Sequence, residues 1–333
     1  MADHAVVIGI ENYPGLNNLA GPCNDAENFI NWLSNAQGGG LDSRHIVSKL
    51  SRDYPPPHNV YDAHPALNDL EALFRPLVVK AANGQHTEGR LFIFLAGHGF
   101  ADSQDANSAA LFTANAEFLY PLHLAVLDYA NFFKRTWAFD EIIVIMDACR
   151  STNPLQEISR AQLPRVSPHP NSNKVKMFIG LATGFNQVAR ERNVGGTVRG
   201  IFTMALLDAL DNAPANRMGR VNGTAIKRHI HNTIDHFAGD LQVSPPEIDA
   251  DEDKDVLFLK RRTSGIATHF HFGPEHYQQT LIIKFGGVNE VHRSTIQSSP
   301  VSVPLQPGLY KAQLAESQSA KNFEVPNDAD VRF

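Results

Sequence analysis

Two short apolar runs, each followed by a chemically reactive side chain, constrain the fold of this chain more than any other feature. Residues 91–96 are Leu-Phe-Ile-Phe-Leu-Ala and lead into Gly97-His98-Gly99, whereas residues 142–146 are Ile-Ile-Val-Ile-Met and lead into Asp147-Ala148-Cys149. Such runs are typical of buried strands in a parallel sheet. Because chemistry in open α/β sheets gathers beyond the carboxyl ends of the strands, neighbouring strands would bring the imidazole and the thiol together.

Helical and extended patterns alternate along most of the chain. Helical spacing of apolar residues predicts helices at about 24–34, 65–81, 122–133, 200–210 and 224–237, and further strands are predicted at 6–10, 176–181 and 256–259. This alternation predicts an α/β fold whose sheet is covered on both faces. After Arg262 only short strand candidates follow, at 280–285, 301–305 and 310–314. Residues 263–333 are therefore predicted to form a small all-β domain.

Composition excludes several classes of protein. The 333 residues are 43% hydrophobic and 19% charged, as in ordinary globular proteins, and the net charge of −6 provides no basic field for nucleic acid. Two cysteines, Cys23 and Cys149, cannot form a disulfide scaffold. The apolar stretch 5–10 is too short for a signal-peptide core, and no run has the length of a membrane span. We expect a cytoplasmic protein without nucleic-acid or membrane partners.

A paired histidine and cysteine provide the parts of a nucleophilic site. The imidazole of His98 can take the proton that makes the Cys149 thiol a nucleophile. The backbone N–H groups of Gly99 and Cys149 are candidates for an oxyanion hole. A buried backbone carbonyl could orient His98, since the sequence offers no obvious third side chain. Taken alone, a Gly-His-Gly segment is usually a turn, and a buried cysteine is usually a small hydrophobic residue.

The chain resembles the caspase and metacaspase superfamily of cysteine proteases, and in particular its bacterial metacaspase-like branch. The His98 and Cys149 segments carry the resemblance, with weaker matches at 7–13, 19–26 and 200–207. It implies a caspase-like three-layer α/β/α sandwich around a mostly parallel six-stranded sheet. It also implies a peptidase domain at 1–262, composed of a large-subunit-like part (1–151), a linker loop (152–174) and a small-subunit-like part (175–262).

The same resemblance implies a substrate preference. Metacaspases, which cleave after arginine or lysine, carry an aspartate at the position of Asp147 and a second acidic pocket residue at the position of Asp25. Two carboxylates in a partly desolvated pocket favour a guanidinium. Asp25 could instead cap the first helix, and Asp147 could only hold a loop. Ala96 stands where the family often has a serine that contacts the substrate.

Other segments bear on regulation. The linker contains Arg160, Arg165 and Lys174, which are candidate self-cleavage sites of a zymogen, although a tolerated surface insertion fits equally well. No acidic cluster supports the calcium binding that is frequent among metacaspases. We therefore expect no cofactor, with calcium dependence as an open alternative that the sequence does not support. The acidic stretch 249–253 is interpreted as a solvated loop. Residues 189–196 are interpreted as a mobile surface loop, with a border of the substrate groove as the alternative.

The sequence therefore favours a cysteine endopeptidase that acts on proteins or peptides after arginine or lysine. The resemblance suggests a regulated effector in cell death, stress or antiphage defence, with the 263–333 domain available to a regulatory partner. The alternative is a catalytically silent, caspase-like binding module. A nucleotide-binding α/β protein is disfavoured, because no Gly-x-Gly-x-x-Gly or phosphate-loop lysine follows any strand.

Overall fold

The computed structural model describes residues 3–152, 157–216, 219–250, 254–260, 266–305, 308–317, 319–325, 328 and 330–333. By its internal contacts the chain divides into a first unit, 1–214 with 221–259, and a second unit, 215–220 with 260–333. The domain boundary that the sequence places after residue 262, and the subdivision of 1–262, stay predictions. Among the described helices, none combines the length and apolar character that crossing a membrane requires.

The secondary structure is as follows. The α-helices are α1 (Pro22–Ser34), α2 (Leu67–Ala82), α3 (Val126–Arg135), α4 (Ile201–Asn212) and α5 (Gly223–Ala238). The strands up to residue 260 are β1 (His4–Gly9), β2 (Ile46–Leu50), β3 (Thr87–Ala96), β4 (Gly99–Ala101), β5 (Ala110–Phe112), β6 (His123–Leu124), β7 (Phe139–Asp147), β8 (Ser151–Thr152), β9 (Lys176–Leu181), β10 (Glu191–Val194), β11 (Thr197–Gly200), β12 (Arg220–Asn222), β13 (Glu247–Ala250) and β14 (Leu257–Lys260). The later strands are β15 (Ile266–His271), β16 (Thr280–Phe285), β17 (Asn289–Thr295), β18 (Val301–Leu305), β19 (Gly308–Leu314), β20 (Ala320–Val325) and β21 (Asp330–Arg332). Short 3₁₀ helices lie at Ser43–His45, Ser51–Asp53, Val60–Asp62, Ser172–Lys174 and Pro274–His276.

A six-stranded sheet organises the first unit. Its strand order is β13-β9-β7-β3-β1-β2; the five strands from β9 to β2 are parallel to one another, and β13 is antiparallel to β9. The two apolar runs of the sequence, β3 and β7, are adjacent, with Ala96 paired to Asp147 at their carboxyl ends. The predicted α/β fold with a mostly parallel six-stranded sheet is therefore confirmed.

Helices cover both faces of this sheet. On one face, Ile93 and Val144 pack in a common core with Phe74 of α2 and Phe133 of α3. On the other face, α1 contacts β1 and β3, α4 contacts α1, and α5 packs against α4 and β13. The strands bury both faces because their side chains alternate between the two helix layers. The predicted three-layer sandwich is confirmed.

The edge strand of the sheet differs from the sequence expectation. The sixth strand is β13, which pairs antiparallel with β9, whereas the predicted last strand at 256–259 corresponds to β14, which pairs with β12 outside the main sheet. Asp249 and Ala250 therefore belong to a strand, and the solvated-loop interpretation was wrong for them, while 251–253 lie outside the described residues. An edge strand with one buried residue, Ile248, carries too little apolar signal to be recognised.

A small sheet follows the ends of β3 and β7. Its order is β6-β5-β4-β8, and β4 and β8 run parallel to each other, β4 beginning directly after His98 and β8 two residues after Cys149. Because His123 and Leu124 pair with β5, the helix predicted from residue 122 begins only at Val126.

The second unit consists of two sheets in the described residues. Their orders are β18-β15-β21 and β17-β16-β19-β20. Phe270, Leu281, Tyr310 and Phe323 lie in their shared apolar core. The predicted all-β character of 263–333 is confirmed for the described part.

The linker is irregular from 157 to 171, as predicted, but it is attached to the first unit. The Ala161 N–H donates to Asp128 of α3 at 2.9 Å, and the His169 N–H donates to the Arg135 carbonyl at 2.8 Å. The His169 ring stacks on Trp137 with 4.8 Å between centroids. Partly buried apolar linker residues also pack against the core: Ile158, Ala161, Leu163 and Val166.

Arg150, next to the end of β7, binds three other segments of the chain through its side chain. Its side chain is fully buried. The guanidinium donates to Glu247 of β13 at 2.6 Å and to the carbonyls of Ala106, Ser108 and Thr183. A buried guanidinium is stable only when its donors are paired, so Arg150 fixes the turn that follows Cys149.

Replacing Arg150 should therefore cost more stability than replacing an exposed arginine. We expect Arg150→Ala to lower the free energy of unfolding by about 3 kcal/mol, because it leaves buried carbonyls without donors. Tryptophan fluorescence in urea reports this, since Trp32 and Trp137 both lie in the first unit. The control Arg44→Ala removes a surface pair with Asp42 and should leave the transition unchanged. Equal transitions for the two variants would contradict the anchoring role.

Candidate catalytic site

His98 and Cys149 lie at the same edge of the central sheet. His98 follows β3 by two residues, Cys149 follows β7 by two residues, and the Gly97 N–H donates to the Asp147 carbonyl at 3.2 Å between the two connections. Both side chains line two adjoining clefts. We call these the acidic cleft, about 200 Å³, which also contains Asp25 and Asp147, and the second cleft, about 420 Å³, which also contains 14–17.

The orientation of His98 follows from its hydrogen bonds. The ring Nε2 lies 2.6 Å from the Asn17 carbonyl oxygen. Since a carbonyl can only accept, Nε2 must carry the proton, and in neutral imidazole Nδ1 is then the basic nitrogen. A backbone carbonyl thus occupies the place that a carboxylate or amide takes in other His-containing sites.

Cys149 is half-buried and uncharged at rest. Its Sγ lies 4.0 Å from the Ala189 carbonyl oxygen. Burial raises the pKa of the Cys149 thiol, and the nearby Asp147 carboxylate raises it further. The resting group is therefore a thiol and needs a base before it can attack a carbonyl. Cys23 is fully buried in α1, where burial raises its pKa to about 12, so it offers no second nucleophile.

Gly99 lies beside Cys149. A Cβ at residue 99 would be 2.8 Å from the Cys149 carbonyl oxygen, so only glycine permits this approach. The Phe112 N–H donates to the His98 carbonyl at 2.9 Å, which makes Gly99 and Leu111 a non-hydrogen-bonded pair of the β4–β5 ladder. In such a pair the N–H points away from the partner strand. The Gly99 N–H is thus directed away from β5, and Gly99 lines the second cleft with Cys149.

Asp25 and Asp147 face each other across Gly200. The Gly200 N–H donates to Asp25 Oδ2 at 2.7 Å, and a Cβ at residue 200 would lie 2.2 Å from Asp147 Oδ2. Asp147 Oδ2 also accepts from the Thr203 N–H at 2.9 Å and from its hydroxyl at 2.7 Å. Asp147 therefore lines the cleft and also binds the first turn of α4, where its charge is favourable. Asp25 makes no capping hydrogen bond in α1.

Burial makes the ionisation of these carboxyl groups costly. It raises the pKa of Asp25 to about 8 and that of Asp147 to about 6; repulsion from Asp147 adds to the shift of Asp25, and Glu191 adds to that of Asp147, against the hydrogen bonds from Thr203. Arg199 Nε lies 3.6 Å from Asp25 Oδ1 and compensates part of the negative charge. Within the described residues, Asp25 Oδ1 is buried and has no hydrogen-bond partner. The acidic cleft thus retains an unused acceptor.

The segment before β10 forms one wall of the acidic cleft. Residues 188–191 line it, and Glu191 accepts from the Gly21 N–H at 3.1 Å, just before α1. Residues 189–191 thus border the cleft, as one of the two interpretations of 189–196 allowed, but the segment is not an irregular loop, because β10 and β11 form a hairpin whose turn is Gly195-Gly196. That glycine pair was the signal that could have predicted the hairpin.

The predicted linker residues lie elsewhere. Arg160 pairs with Asp128 at 3.0 Å, Arg165 is exposed, and Lys174 ends a 3₁₀ helix. None of the three lines either cleft. Three parts of the site were not predicted from the sequence. They are the Asn17 carbonyl that binds His98, the Glu191 carboxyl group in the cleft wall, and the position of Gly200 between Asp25 and Asp147. The role of a backbone carbonyl cannot be recognised from the residue type. Glu191 and Gly200 reach the site only because long-range packing brings them there.

Ala96, where the family often has serine, lines the acidic cleft with its methyl group. Within the described residues, no group of three or more histidine, cysteine, aspartate or glutamate side chains is placed to hold a metal ion. The sequence does not support calcium dependence either.

The sequence is similar to those of known proteins. A sequence model described as "Caspase domain" matches residues 2–234. A probable protease from a Desulfuromonadales bacterium is 30% identical over 221 residues, which is 63% of this chain and 26% of the relative. The chain thus spans about a quarter of the length of that curated relative.

Two solved structures are also similar. Caspase-1 from Spodoptera frugiperda is 14% identical, with 78% of this chain and 92% of that chain covered and a TM-score of 0.49. A protein from Geobacter sulfurreducens is 13% identical, with 78% and 98% covered and a TM-score of 0.44.

The buried carboxyl pair should make stability depend on pH. A carboxyl group whose pKa is raised on folding binds more protons in the folded chain, so its contribution is complete at low pH and is lost as the pH rises above about 4. Asp147→Asn removes this charge and keeps an oxygen that can accept from Thr203. We expect the variant to be more stable than wild type at pH 8, by on the order of 1 kcal/mol, with a smaller difference at pH 5.

Urea unfolding at both pH values measures this effect. Asp42→Asn is the control, because Arg44 holds the pKa of the exposed Asp42 carboxyl well below its usual range, and loss of that charge should bring no gain at pH 8. An Asp147→Asn protein that loses stability relative to wild type between pH 5 and pH 8 would show that the charge is stabilising.

Proposed function

The chain belongs to the caspase-domain family, a family of proteases, and from this premise we propose that it is a cysteine endopeptidase with Cys149 as nucleophile and His98 as general base. One observation carries the proposal: both side chains follow adjacent parallel strands and line the same two clefts. A peptide that crosses from one cleft to the other would pass between thiol and imidazole.

The reaction follows from the state of each group. His98 Nδ1 takes the Cys149 proton as sulfur attacks the scissile carbonyl, and the Nε2–H bond to Asn17 stabilises the imidazolium that forms. The Gly99 and Cys149 N–H groups stabilise the oxyanion. The C–N bond then breaks as Nδ1 returns the proton to the leaving amine, which leaves a thioester. Water, deprotonated by Nδ1, cleaves the thioester and restores the thiol.

The acidic cleft favours a basic residue before the scissile bond. It contains three carboxyl groups, from Asp25, Asp147 and Glu191, and Asp25 Oδ1 has no hydrogen bond within the described residues. Arg199 pairs with Asp25, and Arg190 also lines the cleft, so two arginines face three carboxyl groups. An entering guanidinium or ammonium would relieve the mutual repulsion of the buried pair, whereas an aspartate side chain would increase it.

Peptide hydrolysis tests the specificity. We expect fluorogenic peptides that end in arginine or lysine to be cleaved at least about 100-fold faster, by kcat/KM, than the matched aspartate peptide, because like charges in a desolvated pocket cost several kcal/mol. Cys149→Ala should abolish all cleavage. The assays are run with calcium and with EDTA. A preference for aspartate would contradict the acidic-cleft assignment, and activity that survives in Cys149→Ala would contradict the nucleophile.

Self-processing, if it occurs, should select one linker residue. Arg160 is held on both sides, since the Ser159 N–H donates to His123 and the Ala161 N–H donates to Asp128. Lys174 lies in a 3₁₀ turn. Arg165 is exposed, and its N–H makes no backbone hydrogen bond to another described residue. A scissile segment must leave its packing to enter the site. Arg165 fits best because fewer hydrogen bonds hold it than hold Arg160, although Leu163 and Val166 beside it pack against the core.

We expect mass spectrometry of the purified protein to show fragments 1–165 and 166–333. Arg165→Gln should prevent this cut, whereas the matched variant Arg160→Gln should retain it, and Cys149→Ala should stay intact. Cleavage at Arg160 in the wild type would show that the linker leaves α3 before it is cut. Intact wild-type protein under conditions that cleave peptides would refute self-processing at this linker.

A further inference from the structure

Tyr13 is a fully buried tyrosine whose hydroxyl lies under the His98 backbone. Its oxygen accepts from the His98 N–H at 3.0 Å and donates to the Phe112 carbonyl at 3.4 Å. The Phe112 N–H in turn donates to the His98 carbonyl at 2.9 Å. The two backbone polar groups of His98 are thus held by Tyr13 and Phe112, which are themselves joined by the tyrosine hydroxyl.

The ring of Tyr13 also contacts the imidazole. The two ring centroids are 4.7 Å apart, with 59° between the planes. At Gly97 a Cβ would lie 2.5 Å from the tyrosine oxygen, so glycine at this position makes room for the hydroxyl. The ring therefore occupies one side of the imidazole and restricts its rotation.

Tyr13 further organises the loop that carries the Asn17 carbonyl. The Tyr13 N–H donates to Asn18 Oδ1 at 2.7 Å, and the Leu16 N–H donates to the Tyr13 carbonyl at 3.0 Å. This turn presents the Asn17 carbonyl to His98 Nε2. Tyr13 therefore contacts the backbone and the ring of His98 directly. It also shapes the turn whose Asn17 carbonyl accepts the Nε2 proton of His98.

We propose that Tyr13 is a positioning residue whose hydroxyl holds the His98 imidazole in register with Cys149. The proposal rests on the proposed function, since it assigns to Tyr13 the alignment of that base. Tyr13 does not exchange protons itself, because it is fully buried, and because burial raises the pKa of its hydroxyl and keeps it a donor to Phe112. It acts through His98 and touches no substrate.

Tyr13→Phe separates the hydroxyl from the ring, because it keeps the packing and removes only the oxygen. We expect kcat for an arginine peptide to fall about 10- to 100-fold, as for other small displacements of a catalytic group, with KM changed less than about twofold. Tyr129→Phe is the matched control, since it removes another buried tyrosine hydroxyl, 3.5 Å from Glu71 in α2. It should leave both constants unchanged.

The pH profile of Cys149 alkylation by iodoacetamide distinguishes positioning from general damage. At neutral pH the thiol depends on His98 as base, so Tyr13→Phe should react more slowly than wild type, with a rate between those of wild type and His98→Ala. Well above the thiol pKa, hydroxide removes the proton, and all variants should converge on the wild-type rate. Cys149→Ala supplies the background from Cys23.

The two hypotheses fail in different ways. Wild-type kcat and a wild-type alkylation profile in Tyr13→Phe, with His98→Ala impaired, would refute the role of Tyr13 and leave the proposed function intact. A Tyr13→Phe rate depressed equally at all pH values would also refute it, because that is the signature of a damaged fold. If His98→Ala alkylates like wild type, the proposed base fails and the role of Tyr13 fails with it.

Discussion

The parallel pairing of β3 with β7 is the interaction on which the rest of the site depends. The register places Ala96 opposite Asp147, so the two strands end at the same level of the sheet. Each strand is buried on both faces, and a slip of one residue would turn every side chain to the wrong helix layer. The apolar core therefore fixes to within one residue where His98 and Cys149 emerge. The two-residue connections after each strand then bring the side chains to shared clefts.

Polar groups at this edge of the sheet are held mostly by backbone. Asn17 provides the carbonyl for His98, the Gly200 N–H binds Asp25, and the Thr203 N–H binds Asp147. Arg150 satisfies three backbone carbonyls with one buried guanidinium. Backbone groups do not change rotamer, so they provide a rigid frame for groups that must act in a defined geometry. Burial in this frame raises the pKa of both Asp25 and Asp147, because it withdraws the two carboxyl groups from bulk water.

The clearest apolar patterns of the sequence correctly predicted the central strands of the sheet. The runs at 91–96 and 142–146 are long, apolar and sharply ended, and they became the central strands. The predicted strand 176–181 matches β9, and five helices were placed within a few residues of their observed limits. Errors occurred where local signals are weak. Edge strand β13 has one buried residue, and the hairpin β10–β11 is mostly polar. Neither segment therefore shows a clear alternation of apolar and polar residues.

The sequence by itself determined the alternation of strands and helices, the all-β character of the C-terminal segment, and the two reactive side chains that follow apolar strands. These depend on local composition and period, which act over a few residues. Only the tertiary structure decided that Asn17 binds His98 Nε2, that Tyr13 lies beneath the imidazole, and that Gly200 separates two carboxyl groups. Those contacts join residues that are 81, 85 and 175 positions apart, and no local pattern encodes them, because they arise only when the packed sheet brings distant loops to one edge.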